Sequence, residues 1–326
     1  MVETLTLAKS LNAGLRKAMD DDAKVVLMGE DIGSLGGVFR VTDGLQKDFG
    51  EARVIDTPLA ESSILGTAIG LAMRGYRPVT EIQFDGFVYV AFDQIVSQLA
   101  KMHARSSGQV KLPVTVRIPF GGGIGAVEHH SESPEAYFAH TAGLRVLTPS
   151  NPVDGYHLIR QAIACDDPVI VLEPKRRYWD KAEVDVTADP LLPMGSARVT
   201  RSGRDLTLVT YGPTVRTCLE AAAAADAEGI DIEVVDLRSL SPLDLDTVVG
   251  SVRRTGRCVV VHEASTFLGI SAEVAAAVTE ECFYDLESPV LRVGAFHTPY
   301  PPSRLESHYL PDLDRILDAV DRSMAY

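Results

Sequence analysis

Basic charge is scarce in this chain. Of its 326 residues, 31 are Lys or Arg against 45 Asp or Glu, a net charge of −14, and no basic block offsets the deficit. Nucleic acid and anionic membrane surfaces both require a concentrated positive face, so neither is expected as a partner. Long apolar runs are missing too. No uncharged stretch approaches the roughly 20 residues of a membrane span, and Met1 to Thr4 leads into a helix-like pattern without a signal sequence, so a cytoplasmic location is expected. Cysteine is sparse: Cys165, Cys218, Cys258 and Cys282 form no CxxC pair or disulfide framework and are expected as buried thiols in a reducing compartment. Three signatures are absent or incomplete. No GxxxxGK[ST] supports P-loop phosphoryl transfer, and no HExxH accompanies His129, His130 and His140 to suggest zinc. Gly121-Gly122-Gly123-Ile124-Gly125 follows a strand pattern but neither completes GxGxxG nor opens a helix, which argues against a Rossmann cofactor site.

What is present is an ordinary globular composition, 46% hydrophobic and 23% charged, with length for about two domains at roughly 150 residues each. Apolar runs of strand length alternate with helix-period segments, the pattern of parallel-sheet α/β architecture. In the first half, strands are expected at residues 25–28, 53–55, 79–82, 114–117, 144–147 and 169–172. Helices are expected at 5–19, 62–73, 88–103 and 153–165. Gly66 and Gly70, four apart in the second of these, are expected to pack closely against a sheet or another helix, since glycine otherwise weakens a helix. From residue 173 to about 204 the periodicity lapses among Pro174, Pro190 and Pro193, as in an interdomain linker. A second series follows, with strands at 206–209, 232–235, 258–261 and 290–293 and helices at 215–228, 243–253, 272–282 and 313–323. The alanine run 221–225 reads as a tightly packed helix face.

Two places bear chemistry. Glu61 follows Asp56-Thr57-Pro58-Leu59-Ala60 at a strand-to-helix junction, where the helix N-terminus stabilises a carboxylate. His129 and His130 end a glycine-rich loop able to deliver an imidazole to a site where a proton must move near neutral pH.

Several runs, in this order and spacing, resemble the β subunit of the E1 component of 2-oxo acid dehydrogenase complexes. They are Met28-Gly29-Glu30-Asp31, Gly36-Gly37-Val38-Phe39-Arg40, the stretch from Asp56 to Ile95, His129 to His140, Pro168 to Pro174, Asp236 to Asp244, and Thr298-Pro299-Tyr300-Pro301. The resemblance covers nearly the whole chain, and the 36–40 and 129–140 segments look most like the branched-chain members. It implies an α/β fold of two parallel-sheet-based domains: a transketolase-type pyrimidine-binding domain over 1–180, a linker over 181–204, and a transketolase C-terminal-like domain over 205–326. It further implies thiamine diphosphate as cofactor, with Glu61 on the aminopyrimidine N1′ and Leu59, Gln83 and Phe87 beside that ring. His130 would assist acyl transfer to the lipoyl arm of E2, while His129 receives no role. The family's diphosphate and magnesium motif, a GDG with a later asparagine, is absent, which fits Mg2+ being held mainly by an α subunit in an α2β2 heterotetramer. Some members also hold a structural potassium ion on main-chain carbonyls, at positions matching Leu112, Val114, Thr115, Ala162, Cys165 and Asp167. The expected activity is that of a 3-methyl-2-oxobutanoate dehydrogenase (2-methylpropanoyl-transferring), which decarboxylates branched-chain 2-oxo acids and reductively acylates lipoyl-E2. The alternatives are a pyruvate dehydrogenase β subunit, a nicotinamide-dependent Rossmann oxidoreductase, or a non-catalytic scaffold subunit.

Overall fold

In the computed structural model, which describes residues 1–326, the chain opens on a strand, β1 (Val2–Thr6), where the sequence suggested an immediate helix. Thr6 ends it by accepting the Lys9 amide on its side-chain oxygen, the N-cap of α1 (Leu7–Asp21). Leu7, Leu11, Leu15 and Met19 recur every four residues, and all are buried. The first series continues with β2 (Val25–Gly29), α2 (Leu45–Phe49), β3 (Val54–Asp56), α3 (Glu61–Met73), β4 (Arg77–Glu81), α4 (Met102–Arg105), β5 (Thr115–Phe120), α5 (Glu135–Ala139), β6 (Arg145–Leu147), α6 (Pro152–Ala164) and β7 (Val169–Pro174). Helices α1 and α6 pack against each other through glycine. A Cβ on Gly155 would lie 2.5 Å from Leu7 Cδ1, and one on Gly14 would overlap Ile159, so a side chain at either position would force the helices apart.

Next come β8 (Lys181–Asp185), β9 (Arg198–Arg201), β10 (Leu206–Thr210), α7 (Val215–Asp226), β11 (Ile232–Asp236), β12 (Ser239–Ser241), α8 (Leu245–Thr255), β13 (Cys258–Ser265), α9 (Ile270–Glu281), β14 (Leu291–Ala295), α10 (Glu306–Tyr309) and α11 (Leu313–Met324). One sheet has seven strands in the order β12-β6-β7-β5-β4-β2-β3, all parallel except β12; a second has five, β14-β13-β10-β11-β9, parallel except β9. The alanine run packs as read: Ala221, Ala222 and Ala225 are buried along one face of α7.

The stretch read as a bare linker carries two strands. β8 pairs antiparallel with β1, Thr6 opposite Lys181, and β9 edges the second sheet against β11. Likewise β12 crosses from the second series to pair with β6, Ser239 opposite Leu147, so the two halves interlock. The helix expected at 88–103 is instead a 3-10 stretch (Asp85–Ala91), a π turn (Gln94–Leu99) and α4, where Asp85 accepts the Glu132 amide and Gly86 packs closely against the His129 backbone. Gly66 and Gly70 differ from expectation as well. Ile64, Leu65, Ala68, Ile69 and Ala72 take the buried face of α3, and both glycines lie exposed on the other side. Of the cysteines, Cys218, Cys258 and Cys282 are buried and Cys165 half-buried, and all four are free thiols.

Candidate active site

Strand β2 lies one in from the sheet edge, with the edge strand β3 on one side and β4 on the other. The connection leaving β2 runs outward to β3 and the one leaving β4 runs the opposite way to β5, opening a crevice between β2 and β4 at the carboxyl ends of the strands, where α/β sheets place their ligands. Glu30 and Asp31 enter it from β2, Leu59 and Glu61 from the β3–α3 turn, and Gln83 and Phe84 from β4. Gln83 spans the opening, its Nε2 donating to Asp31 Oδ2 (3.0 Å) and to the Glu30 carbonyl (3.4 Å). Glu61 is the first residue of α3 and only 5% exposed, and its carboxyl finds no hydrogen-bond partner in the chain. Glu30 is 6% exposed, with Oε1 buried and unpartnered. Burial raises the Glu30 pKa above the ordinary carboxylate range, and the negative charges of Glu61 and Asp31 raise it further. Two acid groups thus share one desolvated crevice. The sequence signal for Glu30 is a Glu-Asp pair directly after a buried apolar strand.

The rings come next. Ser62 Oγ donates to the Val90 carbonyl (2.7 Å) and ties the start of α3 to the Asp85–Ala91 turn that carries Phe87. Phe87 lies 5.2 Å from the His130 ring and 6.0 Å from that of His129, while Phe84 approaches His130 to 4.1 Å. His130 Nδ1 is buried without a partner. Burial, with the nearby positive charges of His129 and Lys175, lowers the His130 pKa and favours the neutral ring.

A fully buried ion pair supports this histidine. Lys175 Nζ donates to the Asp85 carboxylate and to the His130 carbonyl (2.5 Å), while Asp85 accepts the Glu132 amide. Lys175 also lies 5.5 Å from the Phe84 ring centre. Burial pushes the Asp85 carboxyl up to about 7 and the Lys175 ammonium down, each offset by the other's charge. Neither residue stood out in the sequence, because they meet only in space.

The expected residues are thus placed unevenly. Glu61, Gln83, Phe87 and His130 line one end of the sheet, Leu59 is 79% exposed at its rim, and His129 points outward. The proposed potassium carbonyls lie elsewhere, between β5, α6 and β7. There Leu112 O accepts from Val114 N (2.7 Å), Val114 O from Val169 N (3.0 Å), Ala162 O from Cys165 N (3.2 Å) and Cys165 O from Arg77 Nη1 (3.0 Å). Each of these four oxygens accepts one hydrogen bond and keeps a second lone pair, and the Arg77 guanidinium brings a positive charge to the same corner.

Family models define the class: the transketolase pyrimidine binding domain matches residues 3–180 and the transketolase C-terminal domain residues 195–316. A solved structure titled "Split gene transketolase, inactive beta4 tetramer" shares the fold with a TM-score of 0.80 at 24% identity, over 98% of both chains. Among curated relatives, the pyruvate dehydrogenase E1 component subunit beta of Leifsonia xyli subsp. xyli is 61% identical, over 100% of this chain and 96% of its own. The 3-methyl-2-oxobutanoate dehydrogenase subunit beta of Mycobacterium tuberculosis is 56% identical over 99% of this chain and 92% of its own. The 2-oxoisovalerate dehydrogenase subunit beta of Pseudomonas aeruginosa is 44% identical over 99% and 96%. The chain belongs to the family of E1 β subunits of 2-oxo acid dehydrogenases. No helix is long and apolar enough to cross a membrane.

Proposed function

We propose that this chain is the β subunit of a branched-chain 2-oxo acid dehydrogenase that uses thiamine diphosphate and works only with an α subunit. The observation that carries the reading is Glu61, a residue only 5% exposed whose carboxyl has no partner within the chain, at the switch point of the sheet, with Gln83 and Phe87 on the elements beside it. Such a carboxyl, costly to leave unsatisfied, suits a heteroaromatic ring nitrogen. Leu59 and Phe87 would give that ring apolar surface and Gln83 a polar edge. When bound, thiamine diphosphate supplies an acidic thiazolium carbon that serves as nucleophile and electron sink. Glu61 would hold a proton against the aminopyrimidine N1′, and burial, with the charges of Glu61 and Asp31, raises the pKa of the neighbouring Glu30. Mg2+ and the diphosphate fall to the α subunit, since the chain lacks the GDG motif.

His130, its pKa lowered by burial and its ring backed by Phe84, is suited to exchanging a proton as the acyl group passes to the lipoyl arm of E2. In the assembled enzyme, His130→Ala is expected to lower reductive acylation of a lipoyl domain by about 10²-fold or more, while decarboxylation with an artificial electron acceptor falls much less. Equal losses in both assays would refute this division of labour.

The branched-chain preference rests on residues 36–40 and 129–140. Phe39 packs on Phe84 at 5.6 Å, so the 36–40 loop borders the wall that carries His130. The relatives carry both pyruvate and branched-chain names, which makes substrate the decisive test. Purified with its α partner, thiamine diphosphate and Mg2+, the complex should act on the oxo acids of valine, leucine and isoleucine with kcat/KM at least about tenfold above pyruvate, given about 1–3 kcal/mol per extra methylene in a fitted pocket. The chain alone should be inactive. Highest activity on pyruvate would reassign the substrate, and full activity without the α subunit would refute the subunit reading.

A further inference from the structure

The loop Gly121-Gly122-Gly123-Ile124-Gly125 is the one glycine-rich motif that this function does not use. Gly121, Gly123 and Gly125 adopt φ of +81°, +86° and +71°. Such left-handed residues turn nearby amides into a concavity that grips an anion. Here the anions are the chain's own carboxylates, reaching over from the C-terminal domain. Gly122 N donates to Glu263 Oε1 (2.5 Å), Gly123 N to Glu306 Oε1 (2.9 Å) and Gly125 N to Glu306 Oε2 (3.1 Å). The Tyr300 hydroxyl donates to the same Glu306 Oε1 (2.6 Å), and Arg176 lies 3.0 Å from Glu263 Oε2. A Cβ on Gly122 would overlap the Tyr300 hydroxyl, and one on Gly121 would lie 2.7 Å from Glu263 Oε1. The glycines are needed because side chains of the other domain rest directly on this backbone.

Three residues after Gly125 the chain enters the Glu128–His130 turn. The loop closes on itself where Gly121 N donates to the Glu132 carbonyl (2.8 Å), and its base is tied to Lys175 and Asp85 of the first domain. His129 and His130 thus sit between two anchors, one from each domain. A cavity of about 170 Å³, lined in part by Ser131, Glu132, Glu263, Tyr300 and Tyr309, adjoins the clasp and gives the loop somewhere to move if it loosens.

We propose that Glu306 and Tyr300, with Glu263, are positioning residues that hold the 121–132 loop so that His130 meets the acyl acceptor. This rests on the role given to His130 above. Carboxylate-to-amide hydrogen bonds are among the stronger ones, and losing two from one loop leaves its tip free to sample other conformations.

The test uses the full complex with its α subunit, as wild type, Glu306→Ala, Glu306→Gln and Tyr300→Phe. Amide hydrogen exchange within peptide 121–132 should accelerate at least about tenfold in Glu306→Ala. Reductive acylation of a lipoyl domain should fall about tenfold relative to decarboxylation with an artificial acceptor, seen mainly as a raised KM for the domain. Glu306→Gln, which keeps one acceptor oxygen, should recover part of both. Tyr300→Phe removes a single hydroxyl and should shift both in the same direction by less, which keeps the test available if Glu306→Ala folds poorly. Unchanged loop exchange, or equal loss in the two assays, overturns the inference and leaves the β-subunit reading standing. A wild-type complex that cannot acylate a lipoyl domain overturns the His130 role and this inference with it.

Discussion

Glu61→Gln in the assembled complex should slow exchange of the thiazolium C2 proton of bound cofactor by roughly 10²- to 10⁴-fold, the range of a well-positioned acid–base group. The amide keeps the size of the acid and removes its ability to share a proton with a ring nitrogen. Stability should hardly change, because the Glu61 carboxyl makes no hydrogen bond within the chain whose loss could unfold it. Exchange read by NMR after acid quench, alongside a thermal melt, separates the two effects. Equal exchange in mutant and wild type would return Glu61 to the role of a first-turn glutamate stabilised by its helix.

Arg117→Met should produce the largest loss of stability. Arg117 is fully buried on β5, donating through Nε and Nη2 to Glu173 (2.7 and 2.8 Å) and through Nη1 to Glu81 Oε2 (2.5 Å), with the Tyr178 hydroxyl adding a bond to Glu173 Oε2 (2.7 Å). Removing the cation strands two buried carboxylates, a mechanism that typically costs about 3–5 kcal/mol. The sign with pH follows. Burial already raises the Glu81 pKa in the native state, and loss of Arg117 raises it further. An acid with a raised folded pKa folds best protonated, so the deficit should shrink as pH falls towards the unfolded carboxylate pKa and grow as pH rises above it. Urea unfolding at acidic and alkaline pH measures this. Arg117→Met/Glu81→Gln/Glu173→Gln should recover much of the loss, and a single mutant within about 1 kcal/mol of wild type would show that the network is dispensable. Activity should fall as well, since Glu81 and Glu173 each stand two residues before a site residue, Gln83 and Lys175.

Much of the site was readable along the chain because its residues fall at strand ends. Glu61 could be placed at a strand-to-helix junction from Asp56-Thr57-Pro58 and the apolar period that follows, and Glu61 does open α3. The glycine loop was readable as a loop but not for its purpose, since its amides meet Glu306 from 183 and 181 residues away. Asp85 and Lys175, 90 residues apart, were invisible for the same reason. The 88–103 segment carries a helical period, yet the Asp85 hydrogen bond to the Glu132 amide and the close packing of Gly86 on His129 override it and split it into irregular turns.

By itself, the sequence determined what depends on neighbours a few residues apart: alternating strands and helices, the junction at Glu61, and the family to which its ordered motifs belong. The tertiary structure alone decided what depends on edges and buried charge. It paired β1 with β8, sent β12 into the other sheet, matched Lys175 to Asp85 and Arg117 to two glutamates, and set Glu263 and Glu306 on the glycine amides. A periodicity of 2 or 3.6 residues shows which face is buried. It carries no information about which distant polar group must satisfy a buried charge or an open strand edge, and the packed chain settles that when water is excluded from both.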